Sequence, residues 1–315
     1  MTGDGEAVPA RGWGGDDPPS RRDYGRESRR REHRFAAALL GPAFMALIAT
    51  TTFPLFYLVW VSVQRLDLGM PFMNGFTGSA NYMQLLSDPR FWQSLGASLV
   101  YTVSTVVLQV VVGLGLALAV LEMKRGQSLF RIIAILPVVL SPAVVGMVWR
   151  SFMLTPEFGV IDYLGITAGL GSHNWLGDPT LAMISVIVIH TWQWTPFAFM
   201  VLLASLAALP DDLYEAARID RASGWQRFTR ITLPLIRPAI IMVIIMRTMV
   251  ALTAFAAIFT VTGGGPGTAT EILNLYAYRK SFTELSLGYG AALAVALLLL
   301  TIAISGLLFL LRRGK

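Results

Sequence analysis

Polar and apolar positions in this chain separate into long blocks. Five stretches carry no charge: residues 35–64, 91–121, 132–149, 179–210 and 285–311. A sixth, 238–261, carries one, Arg247. A bilayer core about 30 Å thick is crossed by about 20 helical residues. The blocks therefore predict six transmembrane helices in an all-α integral membrane protein. The third is the shortest and contains Pro137 and Pro142. Proline inside a spanning helix frees backbone groups that neighbouring helices must satisfy, which favours a bundle over isolated anchors.

Residues 1–34 differ from the rest, holding Gly, Pro, Asp and eight arginines with almost no apolar periodicity. Such a segment buries too little surface to fold alone and is expected to be a disordered, Arg-rich cytosolic tail. It does not read as a signal peptide, because the apolar run behind it is too long and no small-residue cleavage site follows. The membrane domain is then 35–315.

Composition agrees. Charged residues make up 14% of the chain and hydrophobic ones 55%, with a mean hydropathy of +0.60; soluble domains average about 25% charged. There is no cysteine, so disulfides and thiolate metal sites are excluded. Only Lys124, Lys280 and Lys315 are lysines among the 25 cationic residues, a hint of a GC-rich bacterial genome. The net charge of +6 reads as loop charge that sets topology rather than as a nucleic-acid footprint. With the N-terminus inside, the tail, the 122–131 loop, the 210–238 segment and the C-terminus hold 8, 3, 5 and 3 Lys/Arg, or 19. The outer loops hold only Arg65, Arg90, Arg279 and Lys280. That bias predicts an N-in, C-in topology.

One segment interrupts the apolar pattern: PDDLYEAARIDRASGWQRFTRITLPLIRP, 210–238, with nine charges between helices 4 and 5. It predicts two short helices. Asp212 and Glu215 have the spacing of a capping box. Ala216 and Ala217 are small enough for another surface to approach. Ala222, Ser223 and Gly224 form a turn, and Trp225, Phe228, Ile231 and Thr232 share one face of the second helix. Leu233 and Pro234 end it. The residues alone leave two readings open, a docking surface for another protein and an amphipathic helix on lipid headgroups.

The run EAARIDRASGWQRFTRITLPLIRP resembles the EAA loop of binding-protein-dependent ABC importers, matching at Glu215, Ala216, Ala217, Ile231, Leu233 and Pro234. Arg221 stands where that family has glycine; Gly224 lies three residues on. The likeness covers nearly all of 35–315. FTGSANYMQLLSDPRFWQSL (76–95), FRIIAILPVVLSPAVVGMVWRSF (130–152) and TVTGGGPGTATEILNLYAYRKSF (260–282) are similar to the first permease subunit of maltose and glycerol-phosphate importers. Ala256 replaces an acid frequent there. The resemblance implies a type I ABC importer permease that translocates a sugar or polyol. It implies a cytosolic ATPase dimer carrying ATP and Mg²⁺, a second permease subunit and an extracytoplasmic solute-binding protein. It makes 210–238 a coupling loop, in which Glu215 and Asp220 meet the ATPase, Ala216 and Ala217 let the helix seat, Arg221 and Gly224 shape the turn, and Leu233 and Pro234 fix the angle to helix 5.

Other polar positions are weighed on their own. Arg247 inside helix 5 costs about 2.5 kcal/mol or more at mid-membrane, so it faces either a cavity or the cytosolic interface. HTWQWTPF (190–197) gathers His190, Trp192, Gln193 and Trp194. Rings beside amides suit sugars, and such residues also serve plain packing. Gln109 in helix 2 is a similar candidate. TGGGPGTAT (262–270) lacks the G-x-x-x-x-G-K-[ST] phosphate-binding pattern and reads as an outer turn. His33, His173 and His190 have no metal-binding spacing, and no nucleophile elbow is visible. The apolar cores hold no Asp or Glu, which disfavours an ion-coupled secondary transporter. An ABC permease for a non-sugar solute remains the alternative, and the chain itself is expected to be neither an enzyme nor a cofactor protein.

Overall fold

The computed structural model describes residues 21–313. The chain divides into two compact units, the first ending at Tyr57 and the second starting at Leu58. Helix α1, Arg21–Ser62, supplies the first unit and the opening of the second. The expected tail falls partly outside the described residues, and from Arg21 onward it is helical rather than irregular.

In the second unit a small antiparallel hairpin, Gln64–Arg65 with Gly75–Phe76, follows α1. Then come α2 (Ala80–Ser87), α3 (Pro89–Glu122), α4 (Gln127–Val139) and α5 (Pro142–Val148), the last continuing as a π-turn over Trp149–Met153. After α6 (Val160–Thr167), α7 (Pro179–Ala207) and α8 (Asp211–Ile219), α9 (Gly224–Arg227) runs through a π-turn, Phe228–Thr232, into α10 (Leu233–Leu252). The chain closes with α11 (Ala256–Val261), α12 (Leu273–Tyr278), a π-turn over Arg279–Thr283, and α13 (Leu287–Arg313).

Among the described residues, five helices are long and apolar enough to cross a membrane: Leu39–Ser62, Pro89–Glu122, Pro179–Ala207, Gly224–Leu252 and Leu287–Leu310. The sixth expected span is a bent pair, Gln127–Val139 and Pro142–Met153, at 96°. Its break falls between the two prolines that flagged it: Leu140 caps α4 and Pro142 opens α5. Two boundaries differ from expectation. Leu233 and Pro234 do not end a helix; they lie in the first turn of α10, where a proline lacking its N–H is tolerated. The fifth span stops at Leu252 rather than 261. There Asn274 Nδ2 donates to the Thr253 and Ala254 carbonyls at 3.0 and 3.3 Å, satisfying backbone that has left the helix.

The packing centre is α3 against α7. Gly113 makes the approach possible, since a Cβ there would lie 2.9 Å from Ala198 Cβ. Gly146 of α5 does the same against α11, where a Cβ would fall 1.9 Å from Thr260 Oγ1. Small residues let helices meet closely where lipid supplies no hydrophobic drive. One apolar cluster gathers Tyr101, Val186, Ile189, Ile258 and Leu275. A second, around Ala117, Phe199, Leu202 and Ile236, lies toward the 210–238 end.

Candidate functional site

Two sites take shape from the residues singled out above. The first is the 210–238 segment. Pro210 ends the exit from α7 and stands at the N-cap of α8, with an extended backbone. The helix therefore starts at Asp211, two residues earlier than a cap at Asp212 requires, and no side chain caps it. The capping box lies instead at Ser223 and Gln226: Gln226 N donates to Ser223 Oγ at 3.2 Å, and Ser223 N to Gln226 Oε1 at 2.8 Å.

Between the helices the chain reverses through a left-handed residue. Arg221 has φ +54°. Its amide donates to Arg218 O at 3.0 Å, and the Ala222 amide reaches back to Ala217 O at 2.9 Å. This is the Schellman arrangement, whose left-handed position favours glycine because it lacks a Cβ. The turn geometry is thus kept with arginine in it, and Gly224 takes no part in the reversal, being the first residue of α9. Replacing Arg221 by glycine is expected to stabilise the turn by about 1 kcal/mol, seen as slower hydrogen exchange at the Arg221 and Ala222 amides.

The two alanines separate. Ala217 is buried at 7% exposure, whereas Ala216, Glu215, Asp220 and Arg221 are exposed. Tyr214 and Thr232 share a hydroxyl hydrogen bond of 2.9 Å that ties α8 to the π-turn. Ile219 and Trp225 flank the reversal at 82% and 72% exposure. Leu233 and Pro234 are exposed at the head of α10. The segment is a tied corner whose exposed side carries Ala216, the acids Glu215 and Asp220, Arg218 and Arg221, and the large apolar Ile219 and Trp225.

The second site lies within the spans. Arg247 of α10, 2% exposed, donates from Nε to Gln109 Oε1 of α3 at 2.8 Å and from Nη2 to His190 Nε2 of α7 at 3.3 Å. A guanidinium only donates, so His190 accepts at Nε2 and the ring's proton sits on Nδ1. Gln109 Nε2 also reaches His190 O at 3.4 Å. Trp194, one turn after His190, places its ring 4.4 Å from the Arg247 guanidinium carbon, a cation–π contact. Arg247 thus faces a polar partner set and not an interface, and it makes no ion pair among the described residues. Of the four polar candidates, Gln109, Trp194 and Arg247 meet. Gln193 does not: its Nε2 donates to Leu140 O at 3.0 Å, at the break of the third span.

Two buried acids were not singled out from sequence. Glu271, fully buried, receives Arg90 through Nε and Nη2 at 2.7 and 2.8 Å and Arg279 Nη1 at 2.7 Å. Arg279 also donates to Gly263 O in the glycine-rich turn, and Lys280 pairs with Glu284 at 2.5 Å. Glu284 also lies 3.6 Å from Arg90 Nη1, which joins Arg90, Arg279 and Lys280 in one network around the Glu271 clamp. Beside it Asp88 accepts from the Tyr276 and Tyr289 hydroxyls at 2.5 and 2.6 Å. Burial would raise that carboxyl, but these bonds outweigh it and hold Asp88 below its ordinary range. Asp162 of α6 accepts from Ser172 Oγ, the His173 and Glu157 amides and Trp175 Nε1 at 2.6 to 2.9 Å. Those bonds, Ser172 first, depress its pKa and fix the loop before α7. Glu271 sits in a loop and Asp162 in a short helix between spans, where single charges give no sign of burial.

Comparison with known proteins places this architecture. The family of binding-protein-dependent transport system inner membrane components matches residues 109–315. The trehalose/maltose transport system permease protein MalF of Thermococcus litoralis is 33% identical over 90% of this chain and 95% of its own length. The trehalose transport system permease protein SugA of Mycobacterium tuberculosis is 33% identical over 85% of each. The sulfoquinovosyl glycerol transport system permease protein SmoG of Agrobacterium fabrum is 33% identical over 89% and 91%. Among solved structures, a bacterial ABC transporter involved in import of the acidic polysaccharide alginate aligns with a TM-score of 0.78 at 23% identity, over 92% of this chain and 99% of that one. The bent third span, the helical corner between the fourth and fifth spans and the bundle of α3, α7 and α10 are the type I importer permease fold. The chain belongs to the binding-protein-dependent transport system inner membrane components and is a multi-pass permease of an ABC importer.

Proposed function

We propose that this permease imports a sugar or polyol across a bacterial cytoplasmic membrane, with both termini inside. It takes the solute from an extracytoplasmic binding protein and is driven by a separate ATPase dimer carrying ATP and Mg²⁺. Relatives named for trehalose, maltose and sulfoquinovosyl glycerol support the solute class. A solved relative of the same fold is described as a complex with a pentasaccharide-bound periplasmic protein, which supports delivery by such a partner. The observation that carries the reading is the tied corner at 210–238. Its exposed Glu215, Ala216 and Asp220 lie beside Ile219 on a rigid reversal, a shape that fits a protein cleft better than a headgroup layer. One corner serves one ATPase, so a dimeric ATPase calls for a second permease subunit.

In this reading Trp194, half-buried, meets the solute, while Arg247 and Gln109 are withdrawn beneath it and set its position. Gln193 holds the broken third span in place. Isolation in mild detergent tests the partners: recovery of an ATPase, a second permease and a binding protein is expected, and recovery of the chain alone under conditions that preserve such complexes counts against the reading.

A further inference from the structure

Between the fifth and sixth spans four aromatic side chains gather in one cluster. Phe255 and Phe259, one helical turn apart, stack with centroids 5.2 Å apart and planes 16° apart. Tyr278, from the end of α12, meets both, at 4.9 and 5.6 Å. Phe282, one turn beyond Tyr278, extends the cluster from Tyr278 at 5.2 Å. Phe255 and Tyr278 lean on the apolar cluster of the bundle, whereas Phe259 and Phe282 are 44% and 67% exposed. Packing therefore holds two of the rings while the other two stay open.

The rim is polar. The Tyr278 hydroxyl has no hydrogen-bond partner among the described residues. Arg150, exposed, spends one N–H on Thr260 O at 3.3 Å, beside Phe259. Trp149, which packs on the same cluster, meets the Trp192 ring edge-on at 5.6 Å, two residues before Trp194.

We propose that Phe255, Phe259, Tyr278 and Phe282 form a stacking track that takes the ring face of a sugar on its way inward from the outer side. A pyranose offers an apolar C–H face and a hydroxyl rim, and it fits ring faces bordered by an unpaired hydroxyl and a guanidinium. The proposal rests on the sugar-import reading above, and its test separates the two.

The complete transporter (this chain, its ATPase, second permease and binding protein) is reconstituted in vesicles and supplied with labelled glucose, galactose, maltose and trehalose. The double variant Phe259→Leu/Phe282→Leu keeps apolar bulk and removes the π faces; Phe259→Trp/Phe282→Trp keeps them. The track predicts a fall in uptake of about fivefold or more for the leucine pair, near-normal uptake for the tryptophan pair, and ATP hydrolysis stimulated by the binding protein in both. Equal uptake by wild type and the leucine pair overturns the track alone and gives this face to lipid or to the second permease. A wild type that imports none of the four sugars overturns the sugar reading and the track with it. If the leucine pair does not assemble, Phe282→Cys decides, since it is the one thiol in a chain that has none. Slower modification by an impermeant thiol reagent in the presence of the transported sugar supports the track, and an unchanged rate overturns it.

Discussion

Ala216→Asp is expected to cut ATP-driven uptake at least about tenfold while leaving the chain inserted and folded. Ala216 is exposed on α8, between Glu215 and the buried Ala217, so a carboxylate there disturbs nothing inside the permease. It would be desolvated without a partner wherever that face meets the ATPase, and an unpaired charge buried in an interface costs about 2–5 kcal/mol. Assembly and coupled uptake should fall together, measured by co-purification and by transport in vesicles. Ala217→Asp is a different experiment: at 7% exposure it drives a charge into the permease's own packing and is expected to loosen the corner, read as protease sensitivity between α8 and α9. Undiminished uptake by Ala216→Asp would mean that the exposed face of α8 docks nothing.

The second large effect concerns stability. Glu271→Ala removes the one carboxylate held by both Arg90 and Arg279. Breaking a buried pair by deleting one partner costs about 3–5 kcal/mol. Here the arginine side chains are 33% and 30% exposed, so part of the cost is screened and about 2–3 kcal/mol is expected. Thermal unfolding of the purified permease should show it. Arg90→Ala should cost less, because Arg279 remains on Glu271 and still holds the Gly263 carbonyl. Equal melting of Glu271→Ala and wild type would show that the clamp contributes nothing to the fold.

Spans were legible because each is a long block without charge, and that signal survives without knowledge of neighbours. The third span's break was announced by Pro137 and Pro142. The end of the fifth span was not: ALTAFAAIF reads as continuous helix, and it is Asn274, more than twenty residues on, that accepts the chain's departure at Thr253. The capping box was misplaced to Asp212 and Glu215 because Pro210, at the exit of α7, takes the N-cap and moves the helix start by two residues. The true box, Ser-Gly-Trp-Gln at 223–226, has the same legible spacing. Gln109 and Arg247 were each conspicuous as polar residues in apolar blocks. Their pairing across 138 residues of chain was invisible, as any long-range contact is without the fold. Arg221 shows the reverse case: sequence marked it as a departure from the expected glycine, and its φ of +54° shows that the backbone demand is met anyway.

The most direct test of the central claim uses the absence of cysteine from the chain. A single cysteine at Ala216, in the transporter purified from its native membrane, is treated with a short thiol-to-amine cross-linker, and the products are identified by mass spectrometry. The account predicts one dominant adduct, to the ATPase subunit, whose yield changes when ATP is added. Cross-links to lipid amines alone, with no ATPase adduct in either state, would contradict it and assign the charged corner to the membrane surface.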